Sequence, residues 1–469
     1  MKPIRWMAVL CLAVATSGCW PVERIVWSPD GNRAAIFAED HVYLCDPNGD
    51  LADGGALPAP RAFVWFADSQ RVAFSVETPV REWKEVEPLL SERDMAWLTE
   101  SAEALRINIL ENFRDDLSNL KSFRDLTRQQ EQLMKMYLRD RHPEGLAAKL
   151  GTHWEEFVGA DWKVSTLSIG KVTDKGIRIE RTVARSIDQI IWCRINGQSR
   201  TLAYTLCRPG ECATAGHGSP DILSLCVVAC DGNSPSREVG QNTNWTFDWT
   251  ADGTILVFAA GHGRAGDKLN LGTISSRQVC DADGSLLKEF KNSEDLAAIC
   301  FSVTRIVCLP DGQIVFSGLD VCLPATSGDM PTRVSLYALD PAKRSTIARL
   351  LTRQAQMTAP DQMHLFTLSG DQTRLGVPGQ GGEVSIINLA TSAVEPLVSA
   401  SQLPRDPHLS VIPSWRAGKE LCFLVPPGSP YGSPNRAEIV LYSSSDQFRC
   451  ISKKWPDSII QSLSENCNR

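Results

Sequence analysis

Little in this 469-residue sequence points directly at chemistry. It contains no G-x-S-x-G elbow, no phosphate-binding loop, no H-E-x-x-H pair and no two closely spaced C-x-x-C motifs. Those absences remove the commonest signatures of serine hydrolases, nucleotide-binding enzymes and zinc sites. Basic charge is scarce as well. Lys and Arg number 48 against 55 Asp and Glu, a formal net charge of −7 that offers no footprint for nucleic acid or an anionic membrane surface. Past Thr16 no long apolar run recurs, so no mature segment is expected to span a bilayer as a helix. Aromatic residues make up only 7%, yet thirteen residues are Trp, a bias that suits packing between β-sheets.

The extreme N-terminus reads as an export signal. Lys2 and Arg5 form a short positive region, residues 6–16 an apolar run, and Thr16-Ser17-Gly18-Cys19 a small-residue site ending in cysteine. That tetrapeptide resembles the lipobox of bacterial lipoproteins, whose cysteine becomes the lipidated first residue of the mature chain. The resemblance implies a signal peptide over residues 1–18 and lipidation of Cys19. It also implies an exported chain held on a bacterial membrane, facing the periplasm or the exterior. Simple cleavage, or a retained anchor, is the alternative.

Fifteen cysteines are many for such a chain. Without Cys11 and Cys19 thirteen remain, an odd number, so at least one thiol stays free. An exported address favours disulfides, and Cys207 with Cys212 and Cys308 with Cys322 are the candidate pairs. Alternatively, most of these cysteines are small apolar residues buried in strands.

The hexapeptide "VWSPDG" at residues 26–31 has degraded copies along the chain. "IVWSPDGNRAAIF" begins at Ile25, "FVWFADSQRVAFSV" at Phe63 and "IIWCRINGQSRTLAYTL" at Ile190; "FDWTADGTILVFA" begins at Phe247 and "IVCLPDGQIVFSG" at Ile306. "LFTLSGDQTRLGV" at Leu365 and "VIPSWRAGKELCFLV" at Val411 complete seven units. Each is an apolar strand, a tight polar turn and an alternating strand. A third strand often follows, as at His41, Ile222, Arg333, Glu383 and Glu438, and a fourth fits near Ser345. Four short antiparallel strands repeated in this way describe a propeller blade. The W-S-P-D-G motif resembles the blade signature of TolB-type and related WD-repeat-like propellers. The resemblance implies an all-β, seven-bladed β-propeller over residues 20–455, followed by a C-terminal tail at 456–469. It says almost nothing about function.

One interval is far longer than the others. Trp65 and Trp192 stand 127 positions apart, and the excess falls between the second and third strands of the second unit. Residues 91–141 lack Gly and Pro and carry apolar positions at helical spacing, including Leu98, Ala102, Leu105, Ile109 and Phe113. One straight helix of that length would run about 75 Å at 1.5 Å per residue, whereas its ends must return to adjacent strands. Residues 92–116 hold seven acids and three bases, and residues 121–141 three acids and six bases, so antiparallel pairing is favourable. A helical hairpin inserted in blade two is expected within a non-propeller segment spanning 84–158. A short third helix over 146–157 reads as amphipathic packing rather than DNA recognition.

In a propeller the turns between first and second strands, and between third and fourth, share one face. Those turns are short here. The opposite face carries the insertion and the long loops at 207–221, 260–268, 318–332 and 426–437, which makes it the expected working surface. Two of these loops repeat "AGHG", placing His217 and His262 as a candidate ligand or metal pair with Asp221 or Asp267; the alternative is two solvated histidines. No catalytic residue and no cofactor is implied, and no hydrolase domain is expected after the last unit. The leading functional expectation is a membrane-tethered scaffold or sensor in the cell envelope. It would engage another envelope protein through the long-loop face and the hairpin. The alternative is a propeller-type hydrolase or lyase, metal-assisted or not, acting on a glycan or peptide at that face.

Overall fold

The structure is a computed structural model. It describes residues 23–58, 60–79, 85, 87–89, 163–174, 176–207, 223–265, 269–300, 305–319, 334–342, 348–352, 366–378, 383–398, 412–443 and 447–464. The helical hairpin expected at 91–141 and the short helix at 146–157 lie outside these residues.

Each predicted unit becomes an antiparallel pair of strands at its expected place. The first sheet comprises β1 (Ile25–Trp27), β2 (Ala34–Ala38), β3 (His41–Cys45) and β4 (Leu51–Pro58). The second comprises β5 (Phe63–Trp65), β6 (Arg71–Pro79), β7 (Lys163–Thr173) and β8 (Gly176–Ser186). Pro79 pairs directly with Lys163, so the long insertion leaves and re-enters between the second and third strands of this blade, where the spacing places it. The fold is an all-β propeller.

The blade count departs from the expected seven. Among the described residues there are five separate four-stranded blades and one continuous seven-stranded sheet. The latter runs β9 (Gln189–Ile195), β10 (Thr201–Cys207), β11 (Leu223–Ala229), β12 (Arg237–Trp249), β13 (Ile255–Ala265), β14 (Leu269–Gln278) and β15 (Glu294–Cys300). The physical reason is β12. It pairs with β11 through its first half and with β13 through its second, with a register shift between Thr243 and Phe247. Asn242, at φ 52°, bends this strand without ending it. Three further four-stranded blades follow. They are β16–β19 (first strand Ile306–Cys308, last Arg349–Thr352), β20–β23 (Thr367–Leu368 to Val394–Val398) and β24–β27 (Ser414–Arg416 to Gln447–Cys450).

The first strands β1, β5, β9, β12 and β16 pack on one another in succession, and β24 packs on both β20 and β1. These strands therefore surround the axis, and the ring is closed between its last and first sheets. Apolar clusters fill the clefts between neighbours. Phe37 and Phe63 sit in one cluster, Ile190 and Leu167 in a second, and Val315 packs with Phe366 and Leu375 in a third. Trp indoles lock adjacent first strands: Trp65 Nε1 donates to the Val26 carbonyl at 2.9 Å, Trp415 Nε1 to Thr367 at 3.1 Å and Trp249 Nε1 to Arg194 at 3.4 Å.

The expected tail at 456–469 includes a short helix, α1 (Asp457–Ser464), whose Ile459, Ile460 and Leu463 are buried in the cluster joining the first and last sheets. Trp455 Nε1 donates to the Gly49 carbonyl at 2.7 Å. Gly49 has φ 90°, and a Cβ there would lie 1.8 Å from the Ile451 carbonyl oxygen, so glycine is required for this closure.

Candidate functional site at the propeller axis

Four charged residues converge where the first strands meet. Glu23 precedes β1, Arg194 lies on β9, Asp248 on β12, and Arg305 precedes β16. They are far apart in sequence and come from different units, so only closure of the ring assembles them. Glu23 Oε1 accepts from Arg305 Nη2 at 2.9 Å and from Arg194 Nη2 at 3.4 Å. Arg305 is 4% exposed, and its Nη1 has no hydrogen-bond partner among the described residues. Both guanidiniums flank one ring: the Arg194 and Arg305 Cζ atoms lie 4.0 and 5.1 Å from the Trp192 ring centre. The buried Trp192 Nε1 also has no partner among the described residues.

The electrostatics follow from burial. Desolvation alone would raise the Glu23 carboxyl, but Arg194 and Arg305 hold it below the usual carboxylate range. Asp248 moves the other way. Its burial raises it, despite bonds at 2.9 Å from the Cys308 and Trp249 backbone N–H groups. Burial lowers Arg305, and the Glu23 charge opposes that shift. A narrow cavity of about 10 Å³ adjoins the cluster, lined by Glu23, Phe37, Phe63, Arg61 and Trp192 among others. That is room for roughly one water molecule. A second cavity, of about 400 Å³, lies where Leu51 and Tyr43 face Trp455 and Ile459; its rim carries the Asp50–Lys454 pair at 3.5 Å.

The residues singled out from sequence fare differently. Cys19, His217, Cys212 and Cys322 lie outside the described residues, as do Asp221 and Asp267. His262 falls on β13, at a register irregularity between Gly261 and Gly263, rather than in the long loop expected at 260–268. The correction has a simple cause: Ala260, Gly261, Gly263, Arg264 and Ala265 continue the ladder with β14, leaving only a short connection. Cys207 is disulfide-bonded. Cys308 is a free thiol, so the expected pair with Cys322 is not formed; burial pushes this thiol well above its ordinary value. Free thiols also occur at Cys45, Cys193, Cys226, Cys230, Cys280, Cys422 and Cys450, most of them buried in strands. The described residues contain no group of three or more His, Cys, Asp or Glu placed to hold a metal.

Sequence reading missed the axial cluster. Its signal was a charged residue within or beside an otherwise apolar first strand: "VERIVW", "IIWCRI", "TFDW" and "TRIVC". Within a single unit each resembles an ordinary strand border.

No protein-family model matches this chain, and no curated protein does. Solved structures with similar folds include an oligogalacturonate lyase from Vibrio parahaemolyticus, at 10% identity and a TM-score of 0.45 over 92% of this chain and 94% of that one. A putative TolB from Agrobacterium tumefaciens aligns at 11% identity and a TM-score of 0.35, over 58% of this chain and 83% of that one. A puromycin-hydrolyzing peptidase from Mycobacterium tuberculosis aligns at 12% identity and 0.40, over 62% of this chain. The chain spans 44% of that peptidase's length. The propeller assignment rests on strand pairing and ring closure rather than on these likenesses.

Proposed function

We propose that this chain is an exported, lipid-anchored seven-bladed propeller that serves as a protein-interaction scaffold or sensor in the bacterial cell envelope. The supporting observation is the pairing of Pro79 with Lys163. The insertion is added to a blade whose two flanking strands stay paired right up to the junction, so the frame of the blade is complete without it, and long additions to a rigid frame are where binding residues tend to sit. Seven blades follow if the seven-stranded sheet counts as two. In favour of that count, Trp192, Ala203 and Leu225 of its first part cluster with Phe247, Leu256 and Phe258 of its second. β9 also packs on β12, although β10 and β11 separate them in the sheet, which favours a corner at β12.

Deleting residues 91–141 tests the scaffold reading. The propeller should stay folded by circular dichroism, and crosslinked capture of an envelope partner should be lost; undiminished capture would remove the hairpin's role. Cys19→Ala should release the protein from the membrane fraction.

A hydrolase or lyase acting on a glycan or peptide is the second reading. The observation in its favour is that Glu23 and Asp248 are driven in opposite directions within one partly buried cluster, a pattern shared by acid–base pairs. It requires that Asp248→Asn, still folded, abolish turnover on a polysaccharide and peptide panel. Turnover unaffected by that change would dismiss it.

A further inference from the structure

The axial arginines are incompletely satisfied. Arg194 and Arg305 both reach the same oxygen of Glu23, Oε1, and each does so through a single Nη2. A guanidinium and a carboxylate prefer two parallel bonds, each nitrogen to its own oxygen. Arg305 forgoes the second bond: its buried Nη1 is left without an acceptor among the described residues. The same holds for the buried Trp192 N–H, on the ring that both guanidiniums flank. Every unsatisfied group named here is a donor, and a buried donor without an acceptor is left with its desolvation uncompensated. The site therefore holds more donor capacity than Glu23 uses.

Glu23 can also leave its place without breaking the sheet. The sheet's first backbone bond on this strand is Phe37 N–H to the Arg24 carbonyl at 2.9 Å, one residue further on. Swinging Glu23 away breaks side-chain bonds and leaves the β1–β2 ladder whole. With Glu23 in place the adjoining cavity measures about 10 Å³, too small for anything beyond a water; with it withdrawn, the space of its own carboxylate becomes available.

We propose that the propeller axis is a binding site for a small carboxylate, formed by Arg194, Arg305 and Trp192 and closed in this state by the chain's own Glu23. An entering carboxylate takes both nitrogens of Arg305, displaces Glu23, and so couples occupancy of the axis to the N-terminal lead-in of the chain. This deepens the sensor reading, on which it rests for the idea that the axis meets a ligand at all.

Chemical rescue with acetate is the test. Glu23→Ala should lower Tm, and acetate should restore it at constant ionic strength, whereas acetamide and chloride should not. Acetate should bind Glu23→Ala at least about tenfold more tightly than the wild-type chain, a difference of about 1.4 kcal/mol. Adding Arg305→Gln should remove the response. Equal rescue by chloride would make the site a general anion site and overturn the proposal, as would no rescue at all. If Glu23→Ala does not fold in chloride buffer, its refolding yield with and without acetate becomes the readout, and a yield unmoved by acetate counts against the site. The measurement uses purified protein alone, so a failed partner capture leaves it standing, and its own failure leaves the scaffold reading untouched.

Discussion

Ser28, Thr250 and Ser369 occupy the same place in three turns and make the same bonds. Each hydroxyl donates to the aspartate two residues on: Asp30 at 2.6 Å, Asp252 at 2.6 Å and Asp371 at 2.5 Å. Each aspartate in turn accepts a backbone N–H two residues further along, from Asn32, Thr254 and Thr373. These acids are turn residues, and so is Asp68, which accepts from the Gln70 and Arg71 N–H groups at 2.9 Å. Asp371→Ala should cost about 1 kcal/mol in urea denaturation. Slight burial works against them, but these hydrogen bonds hold Asp30, Asp68, Asp252 and Asp371 below the usual carboxylate range. A group depressed on folding contributes stability that is complete above its unfolded value near 4 and is lost as pH falls through the folded value. Glu23 has the same sign; Asp248, raised by burial, has the opposite one. The depressed groups outnumber it, so Tm should fall below about pH 4. A Tm that rises on acidification would contradict these assignments. The free thiols carry a separate expectation. Burial raises Cys193, Cys226, Cys230 and Cys422 to about 12, so iodoacetamide at pH 8 should modify them only after unfolding, as mass spectrometry would reveal.

Elements are joined by a small set of recurring devices. The indole bonds from Trp65, Trp249 and Trp415 each tie one first strand to the preceding one. Replacing any of these with Phe keeps most of the apolar packing and removes one bond, so a loss of about 1 kcal/mol per site is expected from chemical denaturation. The C-terminal segment has a different task. Arg436 donates to the carbonyls of Ser452, Lys453 and Trp455 and pairs with Asp457 at 2.6 Å, fixing the chain that carries Trp455 over the first sheet. Trp455→Ala should cost about 3–5 kcal/mol, because it removes a buried aromatic side chain and leaves the Gly49 carbonyl unpaired. A loss under about 1 kcal/mol would mean the ring does not depend on this clasp. β12 is the element whose behaviour the repeat pattern conceals. Its second half, "TFDW", reads as a new unit, whereas its first half belongs to the previous ladder.

At the scale of the whole molecule, closure involves no exchange of strands among the described residues. The first sheet is built from residues 25–58 and the last from 414–450, and they meet through packing and side chains. Gly31, at φ 70°, sits so close to the last sheet that a Cβ would lie 2.7 Å from that of Ala417, and the Gly31 carbonyl accepts from Arg416 Nε at 2.9 Å. Gly31→Val should weaken this seam by more than an ordinary surface change, on both φ and space; a Tm within a degree of wild type would show that the seam can relax. The repeat was legible in the sequence because each strand–turn–strand unit is local: apolar alternation and a Pro-Asp-Gly or Ala-Asp-Gly turn specify it within about fifteen residues. The place of the insertion was legible for the same reason. Sheet boundaries were not, because β12 changes partners midway and no residue marks the change. The axial cluster was not, because Glu23, Arg194, Asp248 and Arg305 are brought together by ring closure alone, across 282 positions between Glu23 and Arg305. Local units, their order and the point where the chain leaves them were all written along the chain. Which charges share a buried site was left to tertiary packing, since that depends on how complete sheets surround one axis rather than on any neighbourhood in sequence.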